Sequence, residues 1–187
     1  MARVPLLSDT RSTFRSKPTT TDTMHYQLRQ LNRGDIARLV EFHERCSEET
    51  HYRRFLMAKP CLLLHEAERF CSVDQCREGA FVAFDAASPN EIRGVGRWAA
   101  VDETTAEVAF AVEDEYQGHG IGRTLVSAVI ARARILGFTT LIADVLATNR
   151  AMRRVLRTSG CPLVERHQDF AVLRFSLDLT SQMALAA

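Results

Sequence analysis

Hydrophobic and polar residues alternate in several stretches of the chain, which is the pattern of half-buried β-strands. YQLRQL is the first such stretch, and GAFVAFDA, EIRGVGRWAAVD and TTAEVAFAVED follow with the turn-forming segments ASPN and DETT between them. The short apolar run LIADVL is typical of a central buried strand, and PLVERH and FAVLRFSLDL predict a terminal hairpin. The chain is therefore expected to form about seven strands, most of them antiparallel.

Between these strands, apolar residues recur at the three- and four-residue spacing of helices with one buried face. This spacing predicts four helices, from about Asp35 to Ser47, from Pro60 to about Cys71, from Arg123 to Leu136 and from Asn149 to about Thr158. The polar and aromatic segment SEETHYRRFL joins the first two, and this pair of helices is expected to frame a substrate opening. The order of elements predicts a single α/β (α+β) domain with a mixed, mostly antiparallel sheet.

The two ends of the chain lack this regularity. Residues 1–24 are rich in Arg, Ser and Thr, contain few acids and have no apolar core of a secretory signal, so we expect a disordered tail there. A mitochondrial-type presequence has a similar composition and stays an alternative. Residues 25–180 are expected to form the domain, and residues 181–187 a flexible tail.

Composition narrows the class of protein. The 24 basic and 23 acidic residues give a formal net charge of +1, which argues against a dedicated nucleic-acid binder. No stretch approaches the roughly 20 apolar residues that a membrane helix needs. The five cysteines form no CxxC pair and the six histidines do not gather near them, so we expect reduced thiols, a cytoplasmic protein and no metal.

The most informative segment is AEVAFAVEDEYQGHGIGRTLVSAVI, in which a strand and an acidic turn lead into three alternate glycines and an amphipathic helix. Glycines at 118, 120 and 122 permit positive φ and let a bulky anion approach the backbone. The first helical turn behind them presents unpaired N–H groups at the positive end of the helix dipole. The segment therefore predicts a phosphate site, with Arg123 as an added cation.

The spacing of the loop decides between phosphate ligands. A Rossmann turn needs G-x-G-x-x-G, but position 123 is Arg, and no Gly-Lys-Ser/Thr is present for a P-loop. The pattern from Gln117 to Gly122 is Q-x-x-G-x-G, which resembles the pyrophosphate-binding motif of GNAT N-acetyltransferases. This resemblance extends from about Tyr26 to Leu179 because the order of elements also matches that fold.

The resemblance implies a GNAT fold with about four helices around the sheet, a splay between the fourth and fifth strands, and acetyl-CoA as cosubstrate. The backbone of the fourth strand would pair with pantetheine, the amides from Gly118 to Thr124 would hold the pyrophosphate, and Asn149 would contact the coenzyme. For Asn149, a helix N-cap is an equally good and compatible interpretation. The implied coenzyme residues are Phe110, Ala111, Val112, Gln117, Gly118, His119, Gly120, Ile121, Gly122, Arg123, Thr124, Asn149 and Arg153.

Glu107 is the candidate general base. An unperturbed lysine has a pKa near 10.4, so its neutral form costs roughly 4 to 5 kcal/mol at pH 7. Glu107 lies in an apolar strand, where burial would raise its pKa toward a useful range; a solvated glutamate on an edge strand is the alternative. The chain most resembles bacterial Pat-type protein lysine acetyltransferases, in which a glutamate in the matching AEVAF context is the base.

Three other features stay open at this point. Many GNAT enzymes carry a tyrosine as general acid where this chain has Leu156, so no acid is assigned. The acidic turn from Glu113 to Glu115 is interpreted as solvated, with guidance of a cationic substrate as the alternative. A solvated basic face is likewise an alternative to a coenzyme contact at Arg153 and its neighbouring arginines.

The acceptor side rests on the segment SEETHYRRF, which looks like the S-x-E-S/T-x-Y-x-R-F block of Pat-type enzymes. The resemblance implies that Tyr52, Arg53 and Phe55 line the acceptor opening, and an exposed loop with both aromatic residues in the core is the alternative. We expect acetyl-CoA and a protein lysine as partners, with no nucleic acid or membrane. A small-molecule N-acetyltransferase and a catalytically silent acyl-CoA-binding module remain the competing hypotheses.

Overall fold

The structure is a computed structural model that describes residues 26–85 and 88–181 of the chain. The expected disordered tail at residues 1–24 lies outside the described residues, as does all but the first residue of the expected tail at 181–187.

A seven-stranded mixed sheet forms the centre of the fold, in the order β1-β2-β3-β4-β5-β7-β6. Its neighbours are antiparallel except for the parallel pair β4 and β5, which confirms the predicted sheet. The strands are β1 Tyr26–Gln30, β2 Glu78–Asp85, β3 Ser88–Ala100, β4 Thr105–Val112, β5 Thr140–Leu146, β6 Leu163–His167 and β7 Val172–Asp178.

Five α-helices pack around this sheet within the described part of the chain, one more than the four that the sequence predicted. The addition is α2, in the polar segment that joins the first two predicted helices, and α3 begins at Leu64 rather than at Pro60. The helices are α1 Ile36–Arg45, α2 Glu48–Phe55, α3 Leu64–Cys71, α4 Ile121–Ile135 and α5 Arg150–Arg157, with short 3-10 helices at Arg33–Asp35 and Asp114–Tyr116.

Local capping explains why α2 forms without an apolar stripe. The side chain of Ser47 accepts a hydrogen bond from Thr50 N at 3.2 Å, which satisfies one of the unpaired amides at the helix start. Glu48 and Glu49 lie in the first turn, where the helix dipole favours negative charge.

The two faces of the sheet carry separate cores. Trp98, Val108 and Phe175 pack with Val126 and Val129 of α4 on one face. The opposite face packs against α1 and α3, through residues that include Leu39, Phe42, Ala67, Val82 and Val95. Because side chains alternate along each strand, β4 contributes to both layers and lies between the two groups of helices.

The parallel pairing of β4 with β5 is short. It joins Thr105 to Thr140, Ala106 to Leu141 and Glu107 to Ile142, and it ends there. On its other side β4 stays paired with β3 as far as Val112, and β5 stays paired with β7 as far as Leu146. The expected splay between the fourth and fifth strands is therefore confirmed, and one backbone edge of β4 beyond Glu107 is unpaired.

Close packing of α4 on β3 fixes the start of that helix. A Cβ atom at Gly94 would lie 2.8 Å from Cγ2 of Ile121, closer than real Cβ atoms come, and 3.0 Å from Cδ1 of Leu125, which is tighter than most contacts. Glycine at position 94 therefore lets the first turn of α4 approach the sheet beside the strand gap.

Candidate active site

A cleft of about 400 Å³ opens where the gap between β4 and β5 meets the start of α4. It brings together three segments that the sequence predicted to bind coenzyme. These lining residues are Phe110, Ala111 and Val112 of β4, Gln117, Gly118, Gly120, Gly122 and Arg123 of the loop and helix start, and Asn149 before α5.

The start of α4 has free amides at the cleft. Its N-cap is Gly120, which has φ of 92° and provides no side-chain cap. The first helical hydrogen bond runs from Thr124 N to Gly120 O at 3.1 Å, so the amides of Ile121, Gly122 and Arg123 precede the helical ladder. With the positive end of the helix dipole behind them, these amides suit an anionic ligand.

Three of the predicted loop residues contribute less than the sequence suggested. Ile121 is buried in the core and does not line the cleft, so only its backbone amide, which precedes the helical ladder, is a candidate contact. The amide of Thr124 is used within the helix, and its hydroxyl donates to Gly120 O at 3.2 Å. His119 is exposed and does not line the cleft.

The glycine loop is hydrogen-bonded to α2. Nε2 of Gln117 donates to Val112 O at 3.0 Å and to Oγ1 of Thr50 at 3.1 Å. The carboxylate of Asp114 accepts from Ser47 N at 2.8 Å, from Oγ of Ser47 at 2.7 Å and from Oγ1 of Thr50 at 2.9 Å. Burial opposes ionisation of Asp114, but these hydrogen bonds outweigh it and lower its pKa. The network ties α2 to the glycine loop.

Glu113 shows that the acidic turn is not simply solvated. Its side chain is buried, and Oε2 accepts from Nη1 of Arg93 at 2.8 Å and from Nε of Arg45 at 3.2 Å. The guanidinium of Arg93 is also buried and lies 4.4 Å from the ring centroid of Tyr116. Arg93 also pairs with the more exposed Glu91, so removing Glu113 would leave the buried Arg93 charge with only that partner. Glu113 therefore supports the loop from beneath.

Asn149 is the N-cap of α5, one of the two interpretations that the sequence left open, and its contact with coenzyme stays a prediction. Its side-chain oxygen accepts from Met152 N at 3.1 Å and so caps α5, while the residue also lines the cleft. Arg153, one helical turn further along, does not line the cleft, and its coenzyme contact stays a prediction. Its Nη1 donates to Ala147 O at 2.7 Å and its Nη2 faces Glu165, whereas Arg154 lines the cleft. Because consecutive residues of a helix point about 100° apart, the two arginines face different sides of α5.

Glu107 is exposed in the structure, so the burial that was expected to raise its pKa is not found. It lies at the last β4–β5 pair, where the gap begins, and it does not line the main cleft. Arg54 and Arg174 lie close enough to Glu107 to interact with it electrostatically. The expectation failed because strand position predicts alternation, but not whether a neighbouring element covers a side chain.

The three residues predicted at the acceptor opening have different positions. Arg53 lines the main cleft and forms an ion pair with Glu49. Tyr52 is 48% exposed and does not line the main cleft. Phe55 lines a second, smaller cavity of about 40 Å³ between α1, α2 and the sheet.

Arg54 is a residue of this site that the sequence analysis missed. It lines both the second cavity and the gap between β4 and β5, where Ala109 and Asp144 lie on opposite strands. Matching the S-x-E-S/T-x-Y-x-R-F block strictly to the sequence puts the arginine of the block at position 54, not 53. The sequence therefore contained the signal that would have identified Arg54.

Leu156 is buried in the core of the α4 face, so the position of the missing tyrosine does not face the cleft. Within residues 26–85 and 88–181, no group of three or more His, Cys, Asp and Glu side chains is placed to hold a metal ion. Over the same ranges, every helix is too short or too polar to cross a bilayer.

Comparison with known proteins agrees with this geometry. The model of the acetyltransferase (GNAT) family matches residues 36–160. The chain is 35% identical over 164 residues to acetyltransferase Pat of Mycolicibacterium smegmatis, across 82% of this chain and 46% of that protein. The crystal structure of the GNAT domain of S. lividans PAT matches with a TM-score of 0.74 at 29% identity, covering 82% of this chain and 90% of that one.

Spermidine N-acetyltransferase from Vibrio cholerae, solved in complex with CoA and spermine, matches with a TM-score of 0.67 across 83% of this chain and 96% of its own. At 20% identity it shows the fold alone. Taken together, the open sheet and the family match define the class of protein, an acyltransferase fold of the GNAT type. The chain belongs to the acetyltransferase (GNAT) family, and it spans about half the length of the Mycolicibacterium relative.

Proposed function

We propose that this chain is an acetyl-CoA-dependent N-acetyltransferase that acts on a primary amine, and that the amine is a protein lysine side chain. The observation that carries the proposal is the β4–β5 gap, which leads directly to the uncapped glycine start of α4. A chain with one continuous sheet, or with a capped helix at this point, would have no place for a thioester arm and a diphosphate together.

The coenzyme is proposed to bind through main-chain atoms. The free edge of β4 at Phe110–Val112 would pair with the pantetheine arm as an added strand does. The amides of Ile121, Gly122 and Arg123 would hold the pyrophosphate. Arg154 lines the same cleft and adds positive charge for the phosphates.

The proposed reaction is direct attack of the neutral amine on the thioester carbonyl. The nitrogen lone pair forms the N–C bond, the C–S bond breaks, and the sulfur leaves as CoA thiolate. Glu107 is proposed to accept the proton that the amine loses, because it lies where the gap opens on the strand that would hold the thioester. Position 156 is a buried leucine, so α5 offers no tyrosine there as a general acid. Water is therefore proposed to protonate the thiolate.

Support for a protein acceptor comes from the relative named acetyltransferase Pat and from α2, which presents the exposed Tyr52 beside the cleft-lining Arg53. The alternative of a small amine is represented by the spermidine N-acetyltransferase that shares the fold. A cytoplasmic location belongs to the same proposal and is supported by five cysteines that are all free thiols.

A catalytically silent coenzyme-binding domain is the second candidate, and the exposure of Glu107 favours it. Mass spectrometry of lysine-containing proteins incubated with the purified chain and acetyl-CoA tests both. The Glu107→Gln variant is expected to lower kcat by about 10²–10⁴-fold, with coenzyme affinity unchanged. Glu103→Gln, at an exposed residue before β4, is the matched control.

Each result of this experiment distinguishes between the hypotheses on function. Unchanged turnover in Glu107→Gln removes Glu107 from the mechanism while leaving the enzyme intact. Tight acetyl-CoA binding without acetylation of any amine selects the silent domain. Acetylation of free amines alone selects the small-molecule enzyme.

A further inference from the structure

The second cavity carries an unusual combination of charges. Arg54 of α2 and Arg97 of β3 both line it, and no Asp or Glu is among its lining residues. The remaining lining is largely apolar and includes the rings of Phe42, Phe55 and Phe70. Two cations therefore face one small space in which no anion is provided.

Arg54 is the less satisfied of the two. It makes no hydrogen bond or ion pair with the described residues, and its guanidinium lies 4.9 Å from the ring centroid of Phe55. Burial, and then the charge of Arg97, lower the pKa of Arg54 to about 10, which still leaves it charged at neutral pH. Glu107 opposes this shift but lies outside the cavity. Arg54 is half-buried and lies near a second cation, so an anionic partner would offset the repulsion between the two guanidinium groups.

Arg97 is held in place behind it. Nη1 of Arg97 donates to Phe70 O at 3.0 Å, and the guanidinium lies 4.4 Å from the ring centroid of Phe70. Burial lowers its pKa, and it also forms no ion pair with the described residues. Since Arg97 is opposite Ala109 on β4, its charge lies directly beside the strand that borders the gap.

This cavity adjoins the place where the amine must arrive. It shares Thr50 and Ala111 with the main cleft, and Arg54 also lines the β4–β5 gap together with Ala109. A lysine amine approaching the gap would meet the charge of Arg54 and be repelled by it. A carboxylate near that amine would offset the repulsion and form charge-assisted hydrogen bonds in the bidentate geometry that a guanidinium offers.

We propose that Arg54, with Arg97 behind it, binds a carboxylate on the acceptor, so that the preferred amine is one with an acidic group close to it. This inference rests on the proposed function and names its substrate class. An acidic residue next to the lysine of a protein, or the carboxylate of a small amine, has the chemistry that this subsite recognises.

The test compares matched acceptors. One pair consists of short peptides with a single lysine next to either Glu or Gln, and the other pair is lysine and lysinamide. Binding to the CoA-loaded protein is measured by calorimetry, and acetylation by acetyl-CoA turnover. The acceptor with the carboxylate is expected to bind and react about 10- to 100-fold better, the usual range for a hydrogen bond to a charged group.

Variants assign this preference to the subsite. Arg54→Met keeps the apolar stem and is expected to reduce the preference to near unity, and Arg97→Met is expected to reduce it in part. Arg166→Met, at an exposed arginine of β6, is the matched control and keeps the full preference. Arg54→Glu is expected to reverse the preference toward a peptide with Arg beside the lysine. Thermal unfolding of each variant shows whether it is folded. If Arg54→Met is not folded, Arg54→Gln replaces it.

The outcomes separate this inference from the proposed function. A preference seen with the peptides places the carboxylate in a protein, and one seen only with lysine over lysinamide places it in a small acceptor. Equal binding and turnover within both pairs, or a preference that survives in Arg54→Met, overturns the subsite. A binding preference without turnover of any acceptor keeps the subsite and removes the enzyme.

Discussion

Two helix starts flank the cleft and differ in how their first amides are satisfied. At α2 the side chain of Ser47 accepts from Thr50 N, and Asp114 holds both Ser47 and Thr50. At α4 the N-cap is Gly120, and no side chain caps the helix. The same backbone element is therefore closed by side chains on the proposed acceptor side and left open on the proposed coenzyme side.

This difference shows that capping decides whether the first amides of a helix are satisfied by a side chain or are left for a ligand. Every α-helix begins with amides that lack partners in the helix, and those amides need a partner from a side chain, water or a bound group. A side-chain cap provides it within the protein, whereas a glycine in the left-handed region leaves it to the ligand. We therefore expect changes at α4 to act on coenzyme binding and changes at α2 to act on the acceptor.

The largest expected effect comes from closing the open helix start. Gly120→Glu puts a carboxylate where the phosphates are proposed to bind and forces a side chain onto a φ of 92°. Acetyl-CoA affinity, measured by calorimetry, is expected to fall by at least about 100-fold, because like charges repel in a partly desolvated site.

Gly137→Glu controls for the backbone strain. Gly137 follows the other end of α4, has φ of 88° and also faces open space. Both variants are expected to lose a similar stability of about 1–2 kcal/mol, whereas coenzyme affinity falls in Gly120→Glu alone. Equal loss of affinity in the two variants would contradict a phosphate site at Gly120.

The capped helix start gives the next largest effect. Asp114→Ala removes the acceptor of three hydrogen bonds from Ser47 and Thr50, so α2 is less firmly held beside the opening. We expect KM for the acceptor to rise about tenfold and acetyl-CoA affinity to change less than about threefold, in line with the loss of one to two net hydrogen bonds. Steady-state kinetics with each substrate varied checks this. Glu115→Ala, at the exposed neighbouring residue, is expected to behave as the parent.

A smaller effect should distinguish the two arginines of α5. Arg154 lines the cleft, whereas Arg153 is bonded to Ala147 O and faces Glu165. Arg154→Ala is expected to weaken acetyl-CoA binding by about 2- to 5-fold, the usual worth of an exposed charge pair. Arg153→Ala should lower the thermal unfolding midpoint with little change in affinity. The reverse assignment would show that α5 turns differently toward the coenzyme.

The smallest expected effect is on the pH dependence of stability on the acceptor side. His43 is buried, stacks on His51 with ring centroids 3.8 Å apart, and Nε2 bonds to Lys59 O at 3.0 Å. Burial, and then His51, lower the pKa of His43, so the unfolded chain binds its proton more readily. Its stabilising contribution is present above about pH 6.5 and is lost as pH falls through the lowered pKa.

Thermal unfolding measured between about pH 7 and pH 5 checks this dependence, since the ordinary histidine pKa lies in that range. The midpoint is expected to fall as pH decreases, and to fall less in His43→Gln. An identical dependence of the unfolding midpoint on pH in parent and variant would show that His43 does not contribute to the pH dependence of stability.

The coenzyme side was the more predictable from sequence because it is made by backbone. The spacing of Gly118, Gly120 and Gly122 requires a particular chain path, and the apolar stripe behind it requires a helix. Asn149 was predictable for a similar reason, since asparagine before a helix is a common cap. The loop, the helix and the strand gap were therefore predicted from local pattern and from the family resemblance.

The acceptor side was less predictable because it depends on tertiary contacts. No apolar stripe marks α2, although Ser47 followed by two glutamates is a helix-start signal that was available. Burial of Glu113 and exposure of Glu107 depend on which elements cover them, and sequence alternation does not show that. The choice between Arg153 and Arg154 depends on the phase of a helix that carries four arginines.

The most direct test of the coenzyme site is a crystal structure with acetyl-CoA bound. We expect pyrophosphate oxygens about 3 Å from the amides of Ile121, Gly122 and Arg123, and pantetheine hydrogen-bonded to β4 at Phe110–Val112 within the β4–β5 gap. Acetyl-CoA bound elsewhere, with β4 and β5 paired beyond Glu107, would contradict the account.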